Sequence, residues 1–327
     1  MKALVTGSSG HLGEAMVRTL RAQETEVVGV DLLESPHTSV LGSIVDRRLV
    51  GECLQGVDVV YHTATLHKPH VGTHSKKEFV NTNITGTLNL LEGALENGVK
   101  SFIFTSTTSV FGDAMKPKDG EPAVWVTEDV EPLPKNIYGV TKTAAEDLCH
   151  LFHRRHGLPV VVLRTSRFFP EEDDDPNQRS EFSGDNLKVN EFLFRRVEIA
   201  DVVSAHLAAE QRAAEIGFGR YIVSATTPFS QADLDELRND APAVVRRLIP
   251  EYETVFAAHK WRMFDHVGRV YVNAAARRDL GWQPIHDFRS IINRLKKGGD
   301  FRSQLAIDVG AKGYHSETFE HGPYPVE

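Results

Sequence analysis

The stretch TGSSGHLG, residues 6–13, decides how the amino-terminal part of the chain folds. It follows the apolar run Ala3-Leu4-Val5 and leads into a helical pattern over residues 12–21. Its glycines stand at positions 7, 10 and 13. Glycine is needed where a pyrophosphate comes close to a helix amino terminus, and Gly13 also lets the helix pack tightly on the strand. A glycine-rich turn between a strand and a helix therefore predicts a dinucleotide-binding site.

Short apolar runs alternate with helical patterns through the first half of the chain. Unbroken runs of β-branched residues are typical of strands buried on both faces, and apolar residues at three- and four-residue spacing are typical of helices. This order predicts an α/β fold with a doubly wound, Rossmann-type parallel sheet. The predicted strands lie at residues 3–5, 27–30, 57–61, 102–104 and 160–163, and the predicted helices at 12–21, 79–96 and 138–156.

Asp31 ends the second predicted strand, about 20 residues after the glycine-rich turn. An acidic side chain there accepts hydrogen bonds from the adenosine ribose hydroxyls and repels a 2′-phosphate. Residues 30–35 contain no arginine or lysine that would neutralise such a phosphate, so the sequence favours NAD over NADP. The alternative is that Asp31 is only a solvated residue at a strand end.

The alternation of strands and helices breaks after Leu163. Residues 166–192 contain an acidic run, Glu171 to Asp175, and several turn-forming residues, which indicate a loop or an irregular cap over the sheet. A helix at 199–216 and a strand at 220–223 are expected to rejoin the sheet. We predict an NAD-binding Rossmann domain over residues 1–165, to which the chain returns at about 195–225, and a smaller substrate-binding lobe with a tail over 166–327.

Composition limits the classes of function. The net charge of -8 disfavours binding to nucleic acid or to an anionic membrane surface, since both need clustered Lys and Arg. No apolar run is long enough to span a membrane, and the amino terminus does not read as a secretion signal. Only two cysteines are present, Cys53 and Cys149, which fits a reducing compartment. We therefore expect a cytoplasmic protein without nucleic-acid or membrane partners.

Several motifs together resemble those of the extended short-chain dehydrogenase/reductase family, the group that contains UDP-galactose 4-epimerase. They occur in the family's order and on its elements, and the resemblance spans nearly the whole chain. It implies an NAD-dependent enzyme with a Rossmann-type fold. The motifs are TGSSGHLG (6–13), Asp31, Asn83 within NTNITGT, TSTTSVFG (105–112), YGVTK (138–142) and RRDLGWQP (277–284).

The resemblance implies a catalytic set within these motifs. Tyr138 would be the acid/base, Lys142 its activator and Thr107 the hydroxyl that binds the substrate oxygen, with Thr105 and Thr108 as rivals in nearby register. A tyrosine titrates near ~10, so a base active near neutrality needs its pKa lowered by roughly three units. One cation about 4 Å away, at an effective dielectric near 20, supplies about 4 kcal/mol, which is enough. The alternative is an ordinary pair on a helix surface.

The family pattern also implies residues for the cofactor and the substrate. Asn83 matches an asparagine whose position in a helix supports the site. The substrate-binding candidates are His67, Lys68, Thr107, Thr108 and Arg167. The cofactor-binding candidates are Gly7, Ser9, Gly10, His11, Leu12, Gly13, Asp31, Ser43, Ile44, Thr63, Ala64, Thr65, Asn83, Thr105, Tyr138 and Lys142.

The reaction is less constrained than the family. Dehydratases of the family place an acidic residue after the active-site hydroxyl, whereas Thr108-Ser109-Val110 follow Thr107 here. Dehydration is therefore disfavoured, which leaves 4-epimerisation first and net oxidation or reduction second. A protein that binds the nucleotide without turnover is a third reading, disfavoured because Tyr138 and Lys142 are both present.

The substrate class stays open between a nucleotide sugar and a free sugar or sugar acid. Arg167 stands near the position where epimerases have an asparagine, and the cap at 170–191 is short for a nucleotide base. Arg167 either binds a substrate anion in bidentate fashion or pairs with the neighbouring acidic run. Arg195 and Arg196 are further candidates for binding a diphosphate group of the substrate. Alternatively, they only cap the interface with the lobe.

Two other patterns carry weaker expectations. The histidines at positions 62, 67, 70 and 74 match no compact ligand spacing, so no metal is predicted. The family's paired-helix dimer would use the helices that begin near Phe79 and Tyr138. Leu148, Leu151 and Phe152 would then form its apolar stripe, or they belong to the core.

Overall fold

The computed structural model describes residues 1–173, 175–313, 315 and 319. Asp174 of the acidic run and the end of the predicted tail lie outside the described residues. Seven strands form one parallel sheet in the order β3-β2-β1-β4-β5-β7-β8, and a second sheet pairs β6 with β9. The strands are β1 Lys2–Thr6, β2 Glu26–Asp31, β3 Val40–Leu41, β4 Val59–His62, β5 Ser101–Thr107, β6 Val124–Val126, β7 Val160–Thr165, β8 Phe218–Val223 and β9 Arg269–Tyr271.

Helices cover both faces of the large sheet, which confirms the predicted doubly wound α/β class. The helices of the first part are α1 His11–Ala22, α2 Arg47–Cys53, α3 Lys76–Phe79, a π-helical turn Val80–Thr85, α4 Gly86–Glu96, α5 Ile137–His156, α6 Pro176–Glu181, α7 Gly184–Glu191 and α8 Ile199–Ile216. The later helices are α9 Leu234–Asn239, α10 Ala241–Leu248, α11 Tyr252–His259, α12 Ala274–Asp279, α13 Phe288–Lys296 and α14 Gln304–Val309.

Each face of the large sheet has its own apolar core. Helices α1 and α8 pack on one face, where Ala3, Val5 and Val161 are buried. Helices α4 and α5 pack on the other face, over Leu4 and Val160. Adjacent residues of one strand point to opposite faces, so a strand buried on both must be apolar throughout. The unbroken apolar runs in the sequence follow directly from this arrangement.

The second half of the chain builds a separate core and also returns to the sheet. Strand β8 pairs with β7 in parallel, as expected for the returning segment. The segment expected to be a loop or an irregular cap contains two short helices, α6 and α7, and α7 contributes Leu187 and Val189 to the lobe core. Trp282 of the carboxy-terminal motif is buried against the sheet side, where its indole donates to Ser204 Oγ at 3.0 Å. The carboxy-terminal segment therefore divides its contacts between the two cores.

The glycine-rich turn is shaped by close backbone contacts. Gly7 has a φ of +70°, in the left-handed region that favours glycine. A Cβ added at Gly13 would lie 1.8 Å from the Gly7 carbonyl oxygen. Helix α1 can therefore begin this close to the turn only if position 13 carries no side chain.

Gly13→Ala is expected to lower the free energy of unfolding by at least about 2 kcal/mol, because the methyl group overlaps backbone that cannot easily move. Thermal or urea unfolding measures the effect. Gly51→Ala in helix α2 is the matched control, since a Cβ there meets nothing within 4 Å. That control should gain about 0.5–1 kcal/mol from helix propensity. Equal stability of the two variants would contradict the close-contact argument.

Candidate active site

The glycine-rich turn is hydrogen-bonded to the end of strand β2. The Gly7 amide donates to Val30 O at 2.8 Å, and the Ser9 amide donates to Asp31 Oδ2 at 2.9 Å. The other carboxylate oxygen of Asp31 accepts from the Leu33 amide at 3.0 Å. These contacts hold the acidic group at the edge of the turn, where the sequence placed the recognition of an adenosine ribose.

A continuous cleft of about 860 Å³ runs along the carboxyl edge of the sheet. Asn83 and Lys142 are absent from its lining and lie behind it. The other predicted site residues are brought together along its wall. They are Gly7, Ser9, Gly10, His11, Leu12, Gly13, Asp31, Ser43, Ile44, Thr63, Ala64, Thr65, His67, Lys68, Thr105, Thr107, Thr108, Tyr138 and Arg167.

Tyr138 lies in the first turn of α5, and its position is set by the cap of that helix. The Asn136 side chain accepts a hydrogen bond from the Gly139 amide at 3.1 Å and so fixes where the helix begins. The Thr107 side chain lies close enough to the Tyr138 hydroxyl to act on its pKa. The rival Thr105 is engaged elsewhere, because its hydroxyl is 2.7 Å from His206 Nε2. Thr107 is therefore the threonine that stands with Tyr138.

Lys142 follows one helical turn later and is buried under strand β5. Its Nζ donates to Thr105 O at 2.7 Å and lies 4.0 Å from the centre of the Phe104 ring. Burial lowers the pKa of Lys142 to about 7, although the nearby Glu146 carboxylate acts in the opposite direction. The ammonium group thus joins helix α5 to strand β5 at a cost in desolvation.

In the protein alone, the pKa of Tyr138 departs in the opposite direction from the lowering expected of Lys142. Burial raises the pKa of Tyr138 to about 12, and the neighbouring Thr107 hydroxyl acts to lower it. Lys142 contributes no lowering, because its ammonium group is directed to the carbonyl of Thr105 and is itself weakened by burial. Helical spacing placed the two residues on one face but did not establish that their charges interact.

Asn83 acts as a bridge behind the cleft. It lies in the π-helical turn Val80–Thr85, and its Oδ1 accepts from the Leu66 amide at 2.9 Å. Its Nδ2 donates to Leu66 O at 2.9 Å and to Thr141 Oγ1 at 3.0 Å. The side chain therefore ties the segment after β4 to α5, between Tyr138 and Lys142. This is the supporting position implied by the family pattern.

Arg167 belongs to an ionic cluster in the cap. Its Nη1 is 2.5 Å from Asp173 Oδ2 and 3.8 Å from Glu191 Oε1. Arg195 and Arg196 bind the two oxygens of Glu191 at 2.6 and 2.7 Å. Burial would raise the pKa of Glu191, but the three guanidinium groups outweigh it and hold that pKa at about 2. The contact with Asp173 corresponds to the second reading of Arg167, as a partner of the acidic run.

The histidines of residues 62–74 separate into two groups. His62 is a core residue whose ring nitrogens lie 2.8 Å from Thr6 Oγ1 and 2.9 Å from Thr87 Oγ1. The His67, His70 and His74 rings pack in series, with centroids 4.7 and 5.0 Å apart. Within the described part of the chain, no set of three or more His, Cys, Asp or Glu side chains is arranged to hold a metal ion.

Sequence reasoning missed a buried ion pair behind Lys142. Glu146, one turn further along α5, accepts from Arg164 Nη2 at 2.8 Å and from Ser106 Oγ at 2.5 Å. This carboxylate is the nearest acidic counterpart of the buried ammonium group, and it fixes α5 against both β5 and β7. Its four-residue spacing from Lys142 was the available signal.

Replacing Lys142 by Met is expected to stabilise the fold. The pKa of this lysine is lowered to about 7, whereas an unfolded lysine titrates near ~10.4. Both states are protonated below pH 7, so the full cost of burying the charge is present there, and it fades as the pH rises towards ~10.4. The stability gained by Lys142→Met should therefore be largest below pH 7. Urea unfolding across that range measures it, and a uniform loss of stability would contradict the argument.

The comparisons with known proteins agree with the fold and the motifs. A sequence profile of the NAD dependent epimerase/dehydratase family matches residues 3–187. The UDP-glucose 4-epimerase of Halalkalibacterium halodurans is 30% identical over 188 residues, which cover 55% of this chain and 53% of that protein. The L-arabinose 1-dehydrogenase (NAD(P)(+)) of Haloferax volcanii is 34% identical over 170 residues, covering 49% and 64%.

A solved structure extends the likeness to most of the chain. A short-chain dehydrogenase/reductase superfamily protein from Agrobacterium tumefaciens with bound NAD superposes with a TM-score of 0.64, covering 94% of this chain and 99% of that one at 22% identity. At that identity the likeness concerns the fold. The chain spans about half the length of the curated relatives it matches. The NAD dependence of the family agrees with the cofactor predicted from the glycine-rich turn and Asp31.

The matching profile, the parallel sheet and the motifs along the cleft lead to one conclusion: the chain belongs to the NAD-dependent epimerase/dehydratase family, within the extended short-chain dehydrogenases/reductases.

Proposed function

We propose that the protein is an NAD-dependent enzyme that acts on a hydroxyl group of a sugar or nucleotide sugar by hydride transfer, with 4-epimerisation as the first candidate. The observation that carries this proposal is that Tyr138 and Thr107 lie close together in the same cleft as the glycine-rich turn. Two adjacent hydroxyls at the carboxyl edge of a parallel sheet are positioned to bind a substrate oxygen and to move its proton.

The residues of the cleft divide this work. The glycine-rich turn and Asp31 would hold the dinucleotide, and NAD, when bound, supplies the hydride acceptor. Thr107 would bind the substrate hydroxyl, and Tyr138 would exchange a proton with it, provided that the positive charge of the bound cofactor offsets the burial that raises the tyrosine pKa. Lys142 and Asn83 would keep the helix of Tyr138 in register with strand β5 and with the segment after β4, as their hydrogen bonds to Thr105 and Leu66 support.

The residues near Thr107 bear on the reaction type. Thr108, Ser109 and Val110 follow it in a short 3-10 helix, so no carboxylic acid occupies these positions to protonate a leaving group. This supports epimerisation or net oxidation over dehydration. The 4-epimerase among the sequence relatives supports epimerisation as the first candidate.

Net oxidation of a free sugar or sugar acid is the second candidate, and one feature of the cap favours it. The cavity beneath α6 and α7 has a volume of about 120 Å³, below the ~300 Å³ at which ligand pockets usually begin. Arg167, at its edge, is held by Asp173. Little room is left there for a nucleotide. The 34% identical relative named L-arabinose 1-dehydrogenase supports this alternative.

We also propose a homodimer through α4 and α5. Val140 is 49% exposed and Leu151 38% exposed on α5, and Val80 lies exposed on the neighbouring π-helical turn. Leu148 and Phe152 instead pack in the core, which was the other reading of that stripe. Sedimentation equilibrium should give twice the chain mass of 36.4 kDa, and Val140→Glu should shift it towards the monomer. A wild-type monomer would contradict this proposal.

The cytoplasm is retained as the proposed location, because Cys53 and Cys149 are both free and buried. Among the described residues, none of the helices is long and apolar enough to cross a membrane.

Tyr138→Phe is expected to reduce turnover by about 10²–10⁴-fold, because the ring stays in place while the proton-transferring hydroxyl is lost. The melting temperature and NAD affinity should change little. The variant is assayed with UDP-glucose, free sugars and sugar acids in the presence of NAD. Tyr61→Phe is the matched control, since the Tyr61 hydroxyl is buried in the sheet core and has no hydrogen-bond partner among the described residues. Full turnover by Tyr138→Phe would refute the assignment.

The same assay separates the two candidate reactions. An epimerase interconverts sugars without accumulating NADH, whereas a dehydrogenase produces NADH in proportion to the product, detected by its absorbance.

A further inference from the structure

Two polar side chains in the cleft are buried without a partner. The His11 ring is 7% exposed, and neither of its nitrogens forms a hydrogen bond within the described parts of the chain. The Ser166 hydroxyl is 3% exposed and is likewise unpaired there. Each residue lines the large cleft. A buried donor or acceptor without a partner is unfavourable, so a ligand that supplies the missing hydrogen bond recovers that free energy on binding.

The two groups lie on the cap side of the dinucleotide turn. His11 is the first residue of α1, but its ring stacks on Phe168 beyond strand β7, with centroids 5.9 Å apart and planes inclined by 8°. Its backbone therefore belongs to the turn, while its side chain reaches the opposite wall. Ser166 follows β7 directly, and its amide donates to Val223 O at 2.9 Å, whereas its hydroxyl has no partner among the described residues.

The charge state of His11 selects the ligand chemistry. Burial lowers the pKa of His11 to about 4, and Glu171, Lys312, Arg196 and Glu14 surround it with charges of both signs. The ring is therefore neutral near pH 7 and presents one donor and one acceptor. A sugar hydroxyl both donates and accepts, whereas a carboxylate or phosphate only accepts and would leave one ring nitrogen unpaired.

We propose that the His11 imidazole and the Ser166 hydroxyl bind hydroxyl groups of the sugar substrate and so select a polyhydroxylated ligand on the cap side of the cleft. This inference rests on the proposed function. It assigns the His11 side chain to the substrate while its backbone serves the cofactor. The two side chains would recognise the sugar in the part of the cleft where the Arg167–Asp173 pair leaves little room for a nucleotide.

The test uses His11→Phe and Ser166→Ala in the full chain loaded with NAD. D-galactose, D-galacturonate and UDP-glucose are the probes, titrated by calorimetry. Each variant should weaken binding of the tightest probe by about 3- to 10-fold, the usual effect of one lost hydrogen bond. NAD affinity should be unchanged, and the melting temperature without ligand should not fall, because each substitution removes an unsatisfied buried group.

Ser224→Ala is the matched control. Its hydroxyl is also buried, 1% exposed, and lacks a partner among the described residues, but it does not line the cleft. This variant should share the stability effect of Ser166→Ala and leave probe binding unchanged. Probe binding that depends on Ser166 but not on Ser224 separates recognition from a general effect of losing a buried hydroxyl.

Four results would overturn the inference: unaltered probe binding by both variants, a loss of NAD affinity, a lower melting temperature in both, or no binding of any probe to the wild type. Probe affinity should also stay constant between pH 6 and 8. Tighter binding towards pH 6 would instead show a protonated His11 holding an anion. Binding needs no turnover, so an inactive wild type or an active Tyr138→Phe would refute the proposed function without deciding this test.

Discussion

The site depends on the buried ammonium group of Lys142. Its hydrogen bond to Thr105 O joins helix α5 to strand β5, and this register brings the Tyr138 hydroxyl to Thr107. Burying a charge is unfavourable unless it is paired, and here Glu146 lies one turn away within a network that includes Arg164 and Ser106. The buried charge of Lys142 thus holds the proposed acid/base Tyr138 in position, although burying that charge lowers the stability of the fold. Such a compromise is common at functional sites.

Buried charges are also paired in the cap, but there the pairing occupies the groups that could bind a substrate. Three arginines converge on Glu191 and Asp173, and together they form an ionic cluster in which each guanidinium group has a carboxylate partner. The cluster uses the guanidinium groups that would otherwise recognise a diphosphate. Our proposal therefore assigns substrate recognition to uncharged groups of the cleft, including His11 and Ser166, which are buried without a hydrogen-bond partner among the described residues.

Local sequence patterns predicted the structure correctly where a residue type is compatible with only one environment. The apolar runs predicted the strands at the centre of the sheet, and the glycines of residues 7–13 predicted a turn that tolerates no side chain at Gly13. The spacing of Tyr138 and Lys142 predicted a shared helical face. Short elements were missed, including β3, β6 and β9, because two or three residues carry too little periodicity to be recognised.

The sequence by itself determined the α/β class and the family, and most of the site residues that it predicted lie along the cleft, because these follow from local patterning and from motifs on consecutive elements. Only the tertiary structure decided that Thr107 lies beside Tyr138 while Thr105 pairs with His206, that Arg167 contacts Asp173, and that burial raises the pKa of Tyr138. Each of these depends on distances and burial between segments remote in the chain, which govern electrostatic and hydrogen-bonding energies and leave no periodic trace in a sequence.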